Sequence, residues 1–171
     1  MQPAAVIFAI GNRSRGDDAI GPLLLERLST WLAAEARAGV FELIDDYQLQ
    51  IEHALDLQGR TLALFIDAGC NTPAPFRFYP ITPSSTANES RSTSSTHNLP
   101  PQGVLDVYRQ FEGEAPPPSF VLCVCGERFE LGEGLSEAAA ANVDAAWRQL
   151  MQLCREPDVA LWHAAAGTAG R

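Results

Sequence analysis

Three apolar runs of strand length constrain the fold of this chain more than any other feature. Ala4 to Ile10, Thr61 to Ile66 and Phe120 to Cys125 show no alternation of polar and apolar residues. That is the pattern of strands covered on both faces, as in the parallel sheet of an α/β protein. Between the first two runs, Leu23, Leu24, Leu25, Leu28, Trp31 and Leu32 have the three-to-four spacing of a helix packing on such a sheet. Val40 to Ile44 reads as a second strand and Ile51 to Leu57 as a short helix. Phe76 to Ile81 reads as a less buried edge strand, because Phe76, Phe78 and Pro80 alternate with Arg77 and Tyr79. Helices are expected over Gly103 to Phe111 and Ser136 to Cys154. The second opens on Ser136-Glu137, a good start signal, and carries Val143, Trp147, Leu150 and Cys154 on one face. The expected architecture is α/β: a three-layer α/β/α sandwich around a mostly parallel, twisted sheet of about five strands. Residues 1–155 form one domain with an extended Ser/Thr/Pro-rich loop at 82–100, and 156–171 read as a loosely held C-terminal tail.

With 171 residues, one domain buries roughly two thirds of the surface its unfolded chain exposes. A hydrophobic fraction of 46% and a charged fraction of 19% argue against disorder for the bulk of it. The formal charge is -9 and all 12 basic residues are arginines. The charge argues against a nucleic-acid partner, and the lack of lysine rules out Schiff-base chemistry by the chain itself. No apolar stretch has the length of a membrane helix, and the first apolar run lacks the basic residue and cleavage site of a signal peptide, so the expected location is cytoplasmic. Cys70, Cys123, Cys125 and Cys154 have no disulfide-framework spacing and are expected to be reduced.

In open α/β sheets, ligands bind beyond the carboxyl ends of the strands, and three polar signals fall there. The first strand is followed by Gly11-Asn12-Arg13-Ser14-Arg15-Gly16-Asp17-Asp18. Its acids replace the Lys and Ser/Thr of a phosphate loop, so the loop suits a cation rather than a nucleotide. One of the adjacent acids is enough to cap the coming helix. Asp17 is the capping candidate, which leaves Asp18 free for a ligand, although taken alone Asp18 is more simply read as a helix cap. Asp67 ends the most apolar strand, where a carboxylate starts a turn or finds donors, metal or water to offset its desolvation. His97 in the long loop is either a solvated histidine or a third ligand. If the three loops converge, Asp18, Asp67 and His97 make an open three-ligand site for a divalent transition metal. Other chemistries find no motif. Cys123 and Cys125 read as core, His53 as a helix-surface residue and His163 as part of the tail.

Gly11-Asn12, Gly16-Asp17-Asp18-Ala19-Ile20-Gly21-Pro22, Phe65-Ile66-Asp67-Ala68 and His97, in this order, resemble the nickel-iron hydrogenase maturation endopeptidases over about residues 4–154. The resemblance implies an enzyme that removes a C-terminal extension from the hydrogenase large-subunit precursor after nickel insertion. The residues at Asp18, Asp67 and His97 would contact the metal, with nickel supplied by the precursor rather than permanently bound. One specific protein partner suggests a monomer. Many members carry Glu at the position of Asp18, and Gly-Gly-Thr after the second-strand Asp where this chain has Asp45-Asp46-Tyr47-Gln48-Leu49-Gln50. That altered loop is more similar to the branch serving soluble, NAD-linked hydrogenases. Two rival readings use the same cluster: a metal-dependent amide hydrolase with its own ion, and a non-catalytic nickel-sensing chaperone of the large subunit.

Overall fold

The computed structural model describes residues 1–84 and 99–168. His97 and most of the Ser/Thr-rich stretch therefore lie outside the described residues. The strands are β1 (Ala5–Ile10), β2 (Phe41–Asp46), β3 (Leu62–Gly69), β4 (Phe76–Ile81) and β5 (Ser119–Cys125); the helices are α1 (Ile20–Ala34), α2 (Pro101–Glu112), α3 (Glu137–Arg155) and α4 (Val159–Thr168). Short 3-10 helices span Gly16–Ala19 and Ile51–Leu57. The five strands form one sheet in the order β2-β1-β3-β5-β4. All neighbours pair in parallel except β4, which runs antiparallel to β5 at the edge. The α/β sandwich expected from the apolar runs is the fold observed.

The two faces of the sheet bury separate cores. On one, Ile7, Leu64, Ile66, Phe120 and Leu122 meet Leu24, Leu28 and Leu32 of α1 and Trp147, Leu150 and Leu153 of α3. On the other, Val6, Phe8, Phe65 and Val121 meet Val104, Leu105 and Tyr108 of α2 and Leu57 of the second 3-10 helix. Every residue of β1 is buried, which explains its unbroken apolar sequence: each face of the strand has a helical layer to cover. Phe8 and Phe65 stack at 4.8 Å between ring centroids, each burial contributing roughly 1.5–3 kcal/mol.

Local chemistry fixes the helix ends. The Ser136 hydroxyl accepts the Ala139 N–H at 3.1 Å at the start of α3, the cap that the Ser-Glu pair suggests. Helix α2 opens on Pro101, where a missing N–H costs nothing, and closes on Gly113 at φ 71°, a left-handed cap that glycine adopts freely.

The expected loose tail is instead a helix over its described residues. Trp162 of α4 is 1% exposed, packs edge-on against Phe78 and Phe120, and donates its indole N–H to the Leu153 carbonyl at 3.0 Å. The strand pair β4–β5 leaves an aromatic surface beyond the end of α3, and α4 folds back to cover it. No two of the four cysteines are bridged. Burial pushes the Cys154 thiol up to about 12, so it is a small apolar side chain in this core. Among the described residues no helix is long and apolar enough to cross a membrane.

Candidate functional site

The strand order makes a site at one place. From β1 the chain crosses to β2 on one side, and β3, on the other side of β1, leads on to β4 and β5. The carboxyl ends of β1 and β3 therefore flank the topological switch point, where loops diverge and leave a crevice. Asp18 lies in the 3-10 turn that follows β1, and Asp67 lies on β3 where its burial gives way to partial exposure.

Two glycines explain how the first loop brings its acid to this edge. Gly11 has φ +146°, and a side chain there would collide with the carbonyl oxygen of Asp18. Gly21 seats the start of α1 against both strand ends, because a Cβ on it would lie 2.6 Å from the Ile10 carbonyl oxygen and 3.1 Å from that of Ile66. The loop turns on Asn12, whose side-chain oxygen accepts the Ser14 N–H at 2.8 Å. The Asp18 carboxylate then reaches back across the loop to accept the Asn12 N–H at 2.8 Å. It caps neither the 3-10 turn nor α1, both of which start without a side-chain cap.

Asp17 is not a helix cap either, contrary to the sequence reading. It is fully buried and accepts four hydrogen bonds from the β5–α3 connection: the N–H groups of Glu127, Arg128 and Ser136 and the Ser136 hydroxyl, at 2.7–3.0 Å. Burial pushes its carboxyl up, but the hydrogen bonds more than offset this and hold it below the ordinary value. Adjacent acids thus divide the work, Asp17 clamping two loops together and Asp18 facing the crevice edge. The distant donors that Asp17 satisfies leave no trace in the sequence around it.

Asp67 is in the opposite electrostatic state. Burial raises its carboxyl to about 6, the Ala68 N–H bonded to Oδ1 at 2.8 Å offsets only part of the rise, and the negative charge of Asp18 adds to it. A half-buried carboxyl repelled by a second one is an electrostatic arrangement that a cation or a proton relieves. The structure thus brings Asp18 and Asp67 to one edge. His97 lies outside the described residues, and among the described residues no group of three or more His, Cys, Asp or Glu side chains is placed to hold a metal. The chain on either side of the undescribed stretch is anchored: Ser84 donates its N–H and hydroxyl to Asp106 at 2.7 and 2.8 Å, and the Leu99 N–H donates to the Leu49 carbonyl at 3.1 Å. Leu49 belongs to the loop after β2, at the same edge of the sheet.

Two neighbours of the site escaped the sequence reading. Cys123 pairs with Asp67 in the β3–β5 ladder and is partly exposed, its sulfur 3.0 Å from the Thr72 hydroxyl. Burial raises its thiol above the ordinary value, so it is protonated at neutral pH and a poor nucleophile. His53, read from sequence as a helix-surface residue, is buried at 7% exposure. Its Nδ1 accepts the Gln50 N–H at 2.9 Å, its Nε2 lies 3.3 Å from Asp46 Oδ2, and its ring stands edge-on to Phe8. Burial is tolerated because both ring nitrogens have partners. With Nδ1 taken by Gln50, Nε2 is the ring nitrogen turned toward Asp46. Asp46, Asp45 and Tyr47 form one wall of an open cleft of about 410 Å³ whose other wall is Gly11, Asn12, Arg13 and Ser14. Arg13 bridges the mouth, 3.2 Å from Asp45 and 2.7 Å from Glu26.

No protein-family model matches the chain, and no curated protein matches its sequence. Solved structures do match. A [NiFe] hydrogenase maturation protease HycI from Thermococcus kodakarensis is 23% identical at a TM-score of 0.65, covering 91% of this chain and 94% of its own. The hydrogenase maturating endopeptidase HybD from E. coli is 23% identical at a TM-score of 0.62, covering 92% and 94%. A hydrogenase 2 maturation peptidase from a Thaumarchaeota archaeon is 18% identical at 0.60, covering 88% and 97%. Over nearly its whole length, the chain has the fold of these hydrogenase maturation proteases.

Proposed function

We propose that this protein is an endopeptidase that trims the C-terminal extension from a nickel-iron hydrogenase large-subunit precursor once nickel is in place. The observation that carries the proposal is the Asp18–Asp67 pair at the β1/β3 switch point, with Asp67 raised to about 6 by burial and by Asp18, on a fold shared with named maturation proteases over about nine tenths of the chain. Asp18, Asp67 and His97 would contact the nickel carried by the precursor, as the sequence resemblance implies. The two carboxylates are hard donors that suit a divalent cation and an imidazole is a common partner to them, so the donor chemistry fits. Nickel then belongs to the substrate and acts as the recognition element: a precursor without it lacks the group that relieves the repulsion between the acids and binds too weakly to be cut.

In the nickel-loaded complex, attack by water would be assisted by one of the two carboxylates as base, by the precursor's nickel as Lewis acid, or by both. Cys123, protonated and hydrogen-bonded to Thr72, is not the nucleophile in this scheme. Asp45, Asp46 and Tyr47 line the path along which an extended peptide would approach Asp18.

Intact mass spectrometry of a nickel-loaded precursor, with and without this protein and alongside a nickel-free precursor, tests the reading. Loss of a C-terminal peptide from the loaded sample alone supports both the activity and its dependence on nickel. Cleavage of both samples leaves a protease without the nickel requirement. An unchanged mass in both rejects the proposal.

A further inference from the structure

We infer that the apolar groove between the 3-10 helix Ile51–Leu57 and α2 docks the protein substrate, and that the segment it receives is an apolar side chain flanked by Lys or Arg. The inference rests on the function proposed above, since it takes the hydrogenase precursor as the partner. The groove encloses about 200 Å³ between Ile51, Leu55, Val107, Tyr108 and Phe111. Three of these are large apolar residues turned to solvent: Ile51 is 44% exposed, Leu55 53% and Phe111 78%. Scattered exposed apolar residues need no explanation, but several converging on one concave surface mark an interaction site. Aromatic anchors beside aliphatic walls are also the composition of binding hot spots.

Charge identifies the occupant. The rim carries the exposed carboxylates of Glu52 and Glu112, and among the described residues no Arg lines the groove. A second copy of this chain, with a formal charge of -9, would set like charges against each other around the contact, which costs affinity. A partner with basic residues around an apolar anchor gains from the same rim, because the anchor fills the groove while its neighbours meet Glu52 and Glu112.

Position links the groove to the site. Tyr47, 71% exposed, stands on the wall of the cleft beside Asp46, and Ile51 opens the groove four residues later. Only the short segment 48–50 separates the cleft wall from the start of the groove. A cleft of about 410 Å³ holds only a few residues of a peptide, whereas a specific protein complex usually needs roughly 800 Å² of contact on each partner. The groove supplies the additional surface, and its binding energy adds selectivity for one protein without altering the chemistry at Asp67.

The test compares wild type with two variants: Leu55→Ser combined with Phe111→Ser, and Glu52→Lys combined with Glu112→Lys. All four side chains are exposed, and circular dichroism with thermal unfolding verifies that the variants fold. With nickel-loaded precursor as substrate, each variant is expected to raise KM at least about tenfold, with the loss in KM rather than kcat. The wild-type KM should also rise with salt, and this dependence should weaken or reverse in the lysine variant. An unchanged KM in both folded variants overturns the groove and leaves the proposed function standing. If wild type fails to process the precursor, that reading falls and the assigned occupant with it. Sedimentation showing a wild-type dimer that the serine variant breaks would assign the groove to a second copy and overturn the inference.

Discussion

The Asp17 carboxylate accepts the Ser136 N–H at 2.7 Å and the Ser136 hydroxyl at 2.8 Å across 119 residues of sequence. The same hydroxyl caps α3 by accepting the Ala139 N–H, so one buried acid fixes the loop after β1 and the start of α3 together. Replacing Asp17 with Ala removes the acceptor of the part-buried N–H groups of Glu127 and Arg128 and of the buried Ser136 N–H. We expect a loss of about 3–5 kcal/mol in urea unfolding, the range for breaking a buried, charge-assisted network. The effect has a pH signature. The folded carboxyl lies below its ordinary value of 3.8, so its contribution is complete above that value and is lost as pH falls through the folded pKa. The wild-type advantage over Asp17→Ala should therefore shrink in acid; an advantage that grows below pH 4 would contradict the assignment.

Asp67 reverses that sign. Its carboxyl rises from 3.8 to about 6 on folding, so between these values the folded protein holds a proton that the unfolded chain has released. Its stability contribution is therefore greatest below pH 4 and declines as pH rises to about 6, leaving a penalty on the order of 3 kcal/mol at neutral pH. Asp67→Asn keeps an oxygen to accept the Ala68 N–H and removes the charge. We expect the free protein to unfold at higher temperature than wild type at pH 7.5, with little difference at pH 4, while precursor processing is abolished. A lower melting temperature at pH 7.5 would show that the charge is not destabilising. Because Asp18 contributes to the shift, Asp18→Asn should lower the Asp67 pKa, followed by NMR titration of its side-chain carboxyl.

What was legible in the sequence follows from how local each feature is. The apolar runs gave the sheet because a strand covered on both faces has no alternative residues to use. Gly11 and Gly21 marked the first loop because the backbone passes too close there for a side chain. Asp67 was visible as an acid where an apolar strand ends. Asp17 and His53 were misread because their partners are distant in sequence or lie in a neighbouring loop: a carboxylate that serves residues 127–136 and a histidine satisfied by Gln50 and Asp46 look locally like a cap and a surface residue. Helix α4 was misread for another reason. It is short and apolar nearly all round, so no period separates a buried face, although Pro157-Asp158 before the run is a helix-start signal and Asp158 does accept the Leu161 N–H at 3.0 Å.

His53 holds a site element without itself facing the crevice. Replacing it with Phe preserves the ring against Phe8 but removes the acceptor for the Gln50 N–H and the ring nitrogen 3.3 Å from Asp46 Oδ2. A cost of about 1–3 kcal/mol follows from the unsatisfied groups. Asp46 lines the cleft, so the variant should also raise KM for the precursor, whereas His163→Phe, at an exposed position on α4, should change neither quantity. Unaltered stability and KM in His53→Phe would mean that the Asp46 carboxylate holds its position without the histidine.

Trp162 decides whether the last helix belongs to the domain. Its side chain is 1% exposed, closes over Phe78 and Phe120, and ties α4 to the end of α3 through the Leu153 carbonyl. Trp162→Ala leaves a cavity and an unmatched carbonyl, and changes of this kind cost about 3–5 kcal/mol. Removing residues 157–171 should be at least as harmful, since it bares the outer surface of Phe78 at the sheet edge and opens β4 to association. Chemical unfolding of both variants, with light scattering to follow aggregation, checks this. A truncated protein that unfolds within about 1 kcal/mol of wild type would return the segment to the status of a tail. A loss as large as expected makes α4 part of the minimum folding unit, because the core behind β4 is incomplete without it.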